Sequence, residues 1–226
     1  MKKLFIIIAL PLLTQCKPKL NDSQNLIGWQ KLDLNNYQIS IPPNWKYIQE
    51  QGEDSFVGLF KGPNVSLSFD FSEHGFANHL LQTEQEYIDS EDWLQGCIFC
   101  KSGVTYVNSQ IPDRYANKHI HIPTAKQKAK YPKADYIVDL TYKGDTAYVP
   151  IEVPQNIKNA NIEVDTNKKY VVKTISSKIS GKGLTGVYYQ SRSSNLNFQL
   201  SGYNLSKQNQ EMALQAFKTI VIKNSK

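Results

Sequence analysis

Two cysteines lie three positions apart near the middle of the chain, in the segment Cys97-Ile98-Phe99-Cys100. This spacing occurs in local disulfides, in redox-active thiol pairs and in halves of zinc sites. A redox-active thiol needs a lowered pKa, which the N-terminus of a following helix can supply. Here the pair follows a predicted helix instead. A local disulfide between Cys97 and Cys100 is therefore favoured, with unpaired thiols, redox chemistry and half of a metal site as the alternatives.

Two histidines, His119 and His121, occupy alternate positions of a predicted strand. Alternate strand residues share one face, so the two imidazoles can reach the same metal ion. The sequence shows no third ligand at a recognisable spacing, and we therefore expect solvent-facing histidines and no metal site. The alternative is a four-ligand set of Cys97, Cys100, His119 and His121, which would make the chain a metal-binding or thiol-redox protein.

A third group of polar residues surrounds Gly75, after another predicted strand. Its members are Asp70, Glu73, His74, Asn78 and His79. General acid–base catalysis needs such groups to converge in a cleft. We expect an exposed polar loop here. The alternatives are a loop that contacts a ligand and an enzyme site, and the enzyme site requires a concave pocket at this loop.

The segment from Gly181 to Gly186 matches the dinucleotide pattern G-x-G-x-x-G. The β-branched and aromatic residues after it predict a strand, whereas phosphate binding needs the start of a helix. Neither G-x-S-x-G nor H-E-x-x-H occurs in the chain, and these are the usual hydrolase patterns. We therefore expect no catalytic residues, no cofactor and no enzymatic activity.

In the first half of the chain, apolar and polar residues alternate in short runs separated by turn residues, and this pattern predicts short strands. They cover residues 37–41, 45–48, 55–60 and 65–71. Their common apolar face is drawn from Ile39, Ile41, Trp45, Val57, Leu59, Leu67, Phe69 and Phe71. The segment Thr83-Glu84-Gln85-Glu86 fits a capping box and predicts a helix over residues 84–94 that ends at Gly96.

The second half also consists mainly of short alternating runs separated by turn residues. Its predicted elements are a strand at 118–122, a loop or partial helix at 124–133, a hairpin of residues 134–142 and 147–153, strands at 169–176, 187–190 and 196–201, a helix at 207–218 and a strand at 219–223. Pro150 and Pro154 place the second hairpin strand at a sheet edge. Tyr188, Tyr189 and Tyr203 are expected to cover the edge of the core or, alternatively, to form a glycan-stacking face. A mostly antiparallel sheet with helices packed on it is an α+β fold.

The N-terminus has the layout of a secretory signal, in which Lys2 and Lys3 precede an apolar run over residues 4–13. The run is shorter than the roughly 20 residues that a transmembrane helix needs. Residues 13–16 resemble the processing site of a bacterial lipoprotein signal peptide, except that Gln15 stands where a small residue is usual. The resemblance implies removal of residues 1–15 and lipidation, including palmitate, at Cys16. Ordinary secretion or an uncleaved anchor are the alternatives.

Residues 16–28 are polar and predict a flexible tether before a globular part that begins at Trp29. Loss of Lys2 and Lys3 lowers the formal charge from +6 to +4, and charges of both signs are interspersed. This mild charge argues against a nucleic-acid partner. An oxidising envelope compartment also favours the disulfide between the two remaining cysteines.

The two ends of the globular part resemble a PsbP-like domain. The similar segments are "YQISIPPNWKY", "DSFVGLFKG" and "VSLSFDF" near the start, and "GKGLTGVYYQ", "LNFQLSGYNL" and "EMALQAFKTIVI" near the end. The resemblance covers residues 37–94 and 169–223 and extends to a group of uncharacterised bacterial envelope lipoproteins. It implies one antiparallel sheet flanked by helices over residues 29–226, with residues 96–166 as an insertion that contains the hairpin. Most PsbP-like domains are non-enzymatic accessory or binding modules.

These observations together predict a lipid-anchored bacterial lipoprotein that acts as a non-catalytic binding or accessory module of the cell envelope. It would face the periplasm or the cell surface, with the outer membrane favoured over the inner one. Its expected partners are the membrane, through the lipid, and an envelope protein or a glycan.

Overall fold

The computed structural model describes residues 26–105 and 111–223. The predicted signal peptide, the predicted lipidation residue Cys16 and most of the predicted tether lie outside these residues. The strands are β1 (Gln30–Asp33), β2 (Tyr37–Ile41), β3 (Lys46–Gln49), β4 (Phe56–Gly62), β5 (Val65–Ser72), β6 (Asn117–His121), β7 (Tyr136–Tyr142), β8 (Asp145–Ile151), β9 (Ala160–Thr166), β10 (Tyr170–Ser177), β11 (Leu184–Ser191), β12 (Asn197–Tyr203) and β13 (Val221–Ile222). The helices are α1 (Glu84–Ser90), α2 (Ala125–Lys130), α3 (Gln155–Lys158) and α4 (Lys207–Lys218).

A seven-stranded antiparallel sheet organises the fold, in the strand order β3-β4-β5-β12-β11-β10-β9. Two meanders from opposite ends of the chain meet at its centre, where β5 pairs with β12 and Asp70 lies opposite Gln199. On one face, the alternate residues of these strands are large and apolar, as in Leu67, Phe69 and Phe71 of β5. The period-two pattern of the sequence therefore becomes a sheet with one buried face.

Helix α4 and the small sheet β1-β2-β13 cover this apolar face. Ser206 begins α4 by accepting a hydrogen bond from the amide of Asn209, as expected of a serine N-cap. Ala213, Ala216 and Phe217 form its buried stripe. The chain then turns back as β13, which pairs with β2.

The ring of Tyr37 lies at the centre of the core. It is fully buried, and its ring centroid is 4.6 Å from that of Phe198 and 5.5 Å from that of Phe69. The Tyr37 hydroxyl has no hydrogen-bond partner within residues 26–105 and 111–223. Burial of this hydroxyl raises the pKa of Tyr37 far above its ordinary value.

A second antiparallel sheet, β6-β7-β8, has its own apolar cluster around Val138, Leu140 and Ile151. Trp93, which follows α1, packs into this cluster and donates its indole N–H to the Ile88 carbonyl at 2.8 Å. Helix α1 therefore provides the link between the cluster of the second sheet and the main sheet.

The contact between α1 and the main sheet depends on the Glu86 carboxylate. Its Oε2 accepts hydrogen bonds from the Thr83 amide at 2.6 Å and from the Lys173 ammonium at 2.7 Å. Burial raises the pKa of Glu86, but the hydrogen bonds from Lys173 and Thr83 outweigh it and leave the pKa below its usual range. One carboxylate thus completes the capping box and neutralises the lysine of β10, which is largely buried.

Most of the sequence-based element predictions are confirmed, including the capping box, the partial helix α2, the β7–β8 hairpin with β8 at an edge, and the mostly antiparallel α+β class. The predicted end of α1 is wrong, because Glu91 adopts a left-handed φ of 59° and its amide bonds to Ile88. Of the residues from which the apolar face was expected to be drawn, Val57 and Leu59 are not in the core cluster, which contains their neighbour Phe60 with Phe56 packed against it. Strands β1 and β9 were not predicted.

In the described part of the chain, no helix is long and apolar enough to cross a membrane.

We expect Tyr37→Phe to stabilise the protein by about 1 kcal/mol, because it removes a buried hydroxyl that has no partner. Tyr136→Phe deletes the same atom but removes the hydrogen bond from its hydroxyl to the Glu84 carboxylate. This control should lose about 0.5 kcal/mol. Urea unfolding measures the free energy of unfolding of both variants, and the two changes should have opposite signs. A Tyr37→Phe protein that is less stable than the wild type would contradict the conclusion that the Tyr37 hydroxyl is buried without a partner.

Candidate functional site

A groove of about 820 Å³ lies on the core side of the main sheet, beside α4, where β10 and β9 extend past the helix. Its floor is formed by β10 and β11, and its wall by the C-terminal end of α4 and by β13. The residues that form these surfaces are Tyr170, Val172, Thr174, Val187, Tyr189, Leu214, Phe217 and Ile222. This volume falls in the range of small-ligand sites, which is about 300–1,000 Å³.

The floor of the groove is aromatic and uncharged. The rings of Tyr170 and Tyr189 meet edge to face, with centroids 6.0 Å apart and an interplanar angle of 80°. Burial raises the pKa of Tyr189 to about 12 and also raises the pKa of Tyr170. Both hydroxyls therefore stay protonated at neutral pH and can donate and accept hydrogen bonds.

The rim of the groove is formed by β9, the edge strand of the main sheet, and is polar because the side chains of this strand that line the groove are polar. Asn161, Glu163 and Asp165 occupy its alternate positions on the groove side, and all three are exposed. Lys169 lies at the end of the same groove. An apolar floor with a few polar groups at its border is the usual composition of a small-molecule site.

The loop predicted as a ligand or enzyme site is only partly a loop. Asp70 belongs to β5, and its Oδ1 is buried with no hydrogen-bond partner among the described residues. Glu73 and His74 are exposed, and Asn78 accepts the amide of Leu80 at 2.8 Å. His79 packs its ring 4.8 Å from that of Tyr188. Asp70 is thus a residue of the sheet, whereas the two histidines lie in the segment that follows β5.

A polar depression of about 310 Å³ borders this loop and is lined by His74, His79, Tyr188 and Asn197 among others. Asn197 is buried and fixes the loop, because its side chain accepts the Ala77 amide and donates to the Ala77 carbonyl, both at 3.1 Å. The pKa of Tyr188 is raised by burial, against a smaller lowering by Asn197. Tyr188 is therefore a neutral neighbour of His79 and does not act as a base at neutral pH.

Cys97 and Cys100 form a disulfide with a Cα–Cα distance of 5.4 Å. The loop between them folds over the Asp113 carboxylate, which accepts the amides of Ile98 at 2.5 Å and Phe99 at 2.9 Å. Asp113 itself is buried. The disulfide and this carboxylate give the segment a structural role, and Asp113 was not recognised from the sequence.

His119 and His121 lie on one face of β6, as expected, with ring centroids 5.4 Å apart. The pairing of β6 with β7 puts Asp139 directly opposite His119. His121 Nε2 lies 3.0 Å from Asp139 Oδ1, and His119 Nδ1 lies 3.8 Å from Asp139 Oδ2. The pKa of His121 is raised by its hydrogen bond to the Ile122 carbonyl and by Asp139. Within the described ranges, the group of possible metal ligands consists of these three residues and contains no cysteine.

The alternative by which Tyr188, Tyr189 and Tyr203 form one glycan-stacking face is wrong. Tyr188 and Tyr189 are consecutive in β11 and point to opposite sides of the main sheet, Tyr188 towards His79 and Tyr189 into the groove. Tyr203 is exposed at the end of β12. The aromatic pair of the groove is Tyr170 with Tyr189, which the sequence did not indicate because β9 and the register of β10 were unknown.

No protein-family model matches the chain, and no curated protein matches it. The class that the structure defines is therefore a sheet-dominated α+β protein with a groove on its main sheet.

We expect Asn197→Ala to destabilise the protein by about 1–3 kcal/mol, because it leaves buried polar groups of Ala77 without partners. Asn195→Ala, at an exposed position two residues earlier, is the control and should be neutral. Urea unfolding measures both, and hydrogen exchange of the Ala77 amide should accelerate only in Asn197→Ala. Equal stability of the two variants would contradict the role of Asn197.

Proposed function

We propose that the protein is a lipid-anchored module of the bacterial cell envelope that binds its ligand without catalysis. The observation that carries this proposal is the groove over β10 and β11, whose aromatic floor and polar rim suit a binding site. The signal-like N-terminus with Cys16 supports the anchor and the envelope location.

The chemistry of the groove favours a glycan over a protein segment. A sugar ring presents an apolar C–H face, which can lie on Tyr170 or Tyr189, and hydroxyl groups, which amides and carboxylates can bind. Asn161, Glu163 and Asp165 supply those groups along one side. The same charged side chains on an edge strand disfavour the addition of a peptide strand to β9.

A PsbP-like arrangement remains part of the proposal. Two features are consistent with it: the "YQISIPPNW" segment forms β2 and the turn after it, and the chain finishes with α4 followed by β13. Residues 117–151 form a separate three-stranded sheet inside the range proposed as an insertion, whereas β9 from the same range completes the main sheet.

The alternative of an enzyme at the Asp70–His79 loop is less favoured. Catalysis there needs an acid and a base facing one space. One depression beside the loop is lined by His74 and His79, and another by Glu73 and His74. Asp70 lines neither of them, and the predicted group therefore does not converge on one space. Tyr188 carries a raised pKa and supplies no base. This arrangement supports binding more than proton transfer.

The test is co-sedimentation of the full-length protein, kept in detergent, with purified peptidoglycan sacculi. Tyr170→Ala removes half of the aromatic floor and should weaken binding about fivefold, equivalent to about 1 kcal/mol. Tyr203→Ala removes the same side chain from an exposed position outside the groove. This control should bind as the wild type does.

Two results would reject the proposal for this groove: no co-sedimentation of the wild type, or equal losses in the two tyrosine variants. Circular dichroism of both proteins establishes that each is folded. If the true ligand is a protein segment, the wild-type protein will not co-sediment with the sacculi. The glycan assignment would then be wrong.

A further inference from the structure

The face of β6 and β7 opposite to the apolar cluster of the second sheet holds a group of potential metal ligands. His119, His121 and Asp139 each offer one ligand atom, and these atoms lie within 4.8 Å of one another. Two strands fix the group, since His119 and His121 alternate on β6 while Asp139 lies opposite His119 in the antiparallel register. Antiparallel pairing brings directly opposed Cβ atoms to about 4.5–5.5 Å, so the backbone itself sets these distances.

The hydrogen bonds of His121 leave a place for a cation. Its Nδ1 lies 2.9 Å from the Ile122 carbonyl, which can only accept, so Nδ1 carries the hydrogen. Its Nε2 faces another acceptor, Asp139 Oδ1, at 3.0 Å. A neutral imidazole has one N–H, so this contact is satisfied either by a second proton on Nε2 or by a metal ion bonded to both Nε2 and the carboxylate. A metal-bound histidine typically donates its other N–H to a carbonyl in this way.

The spacing also fits a metal ion of moderate size. Zinc binds nitrogen and oxygen at about 2.0–2.2 Å in tetrahedral geometry, which places neighbouring ligand atoms about 3.4 Å apart. One ligand atom from each residue lies within 4.8 Å of the others, and the shortest distances to Asp139 are 3.0 Å from His121 Nε2 to Oδ1 and 3.8 Å from His119 Nδ1 to Oδ2. A small rotation of the His119 side chain, which is 78% exposed, can close the difference.

We propose that His119, His121 and Asp139 form a binding site for a divalent transition-metal ion of the zinc type. Two imidazoles and one carboxylate suit zinc, copper and nickel better than magnesium or calcium, which prefer oxygen ligands. The disulfide occupies both Cys97 and Cys100, so the proposed site does not include the cysteines of the alternative four-ligand set. With three protein ligands, the ion keeps at least one coordination position for water or another ligand.

The experiment is a calorimetric titration of the full-length protein, kept in detergent, with Zn²⁺ alone. The chain has four histidines, which permits a matched pair of double variants. His119→Ala/His121→Ala and His74→Ala/His79→Ala each keep two histidines, so non-specific histidine binding is equal in both. The wild type and the second variant should bind one equivalent of Zn²⁺, and the first should bind none.

Asp139→Asn tests the carboxylate separately and should weaken binding at least about tenfold, the lower end of the loss for an outer-shell partner. His119→Ala should weaken it as well, and its exposure means that the fold does not depend on it. Three results would overturn the proposal: no heat of binding in the wild type, equal losses in the two double variants, or unchanged affinity in folded His119→Ala and Asp139→Asn.

Discussion

The pairing of β5 with β12 is the interaction on which the rest of the structure depends. It joins a meander from the beginning of the chain to one from the end, with Phe69 opposite Leu200 and Phe71 opposite Phe198. Only this pairing makes one seven-stranded sheet out of two smaller ones. Because α4 and β13 follow β12 directly, the same pairing places β13 beside β2 and closes the aromatic core around Tyr37.

The groove is a consequence of this arrangement. One short helix and three short strands cover the apolar face, and α4 packs over β11 and β2. The far end of the sheet, at β10 and β9, extends past this cover. A sheet face that lacks its packing partner exposes apolar surface, and larger surfaces of this kind often mark binding sites. Charged residues on β9 limit pairing of that edge with other chains.

Local signals explain what the sequence predicted. The alternation of β2, β4 and β5, the turn at Lys61-Gly62-Pro63-Asn64, the capping box at Thr83 and the serine cap of α4 all act within a few residues, and the structure contains each of them. The end of α1 was predicted wrongly because Gly96 was taken as the residue that ends the helix. In the structure Glu91 already adopts the left-handed conformation. Strand β9 carried a usable signal, since Ile162 and Val164 alternate with Asn161 and Glu163, but it lay in a range assigned to an insertion.

The candidate sites could not be predicted because their members meet through long-range pairing. Asp139 is distant in sequence from His119, and only the β6–β7 register brings them together. Tyr170 and Tyr189 meet across β10 and β11 in the same way. The sequence did identify His119, His121 and the cysteine pair. The structure contains the favoured disulfide, beside Asp113, and does not contain the alternative set that joins the cysteines to the histidines.

We propose that Cys16 anchors the protein and that the globular part presents the groove. Intact mass spectrometry of the protein purified from the cells that produce it tests this division most directly. We expect a mature chain that begins at Cys16 and carries a diacylglyceryl group and further acyl chains. A chain that still begins at Met1, or one with an unmodified Cys16, would contradict it.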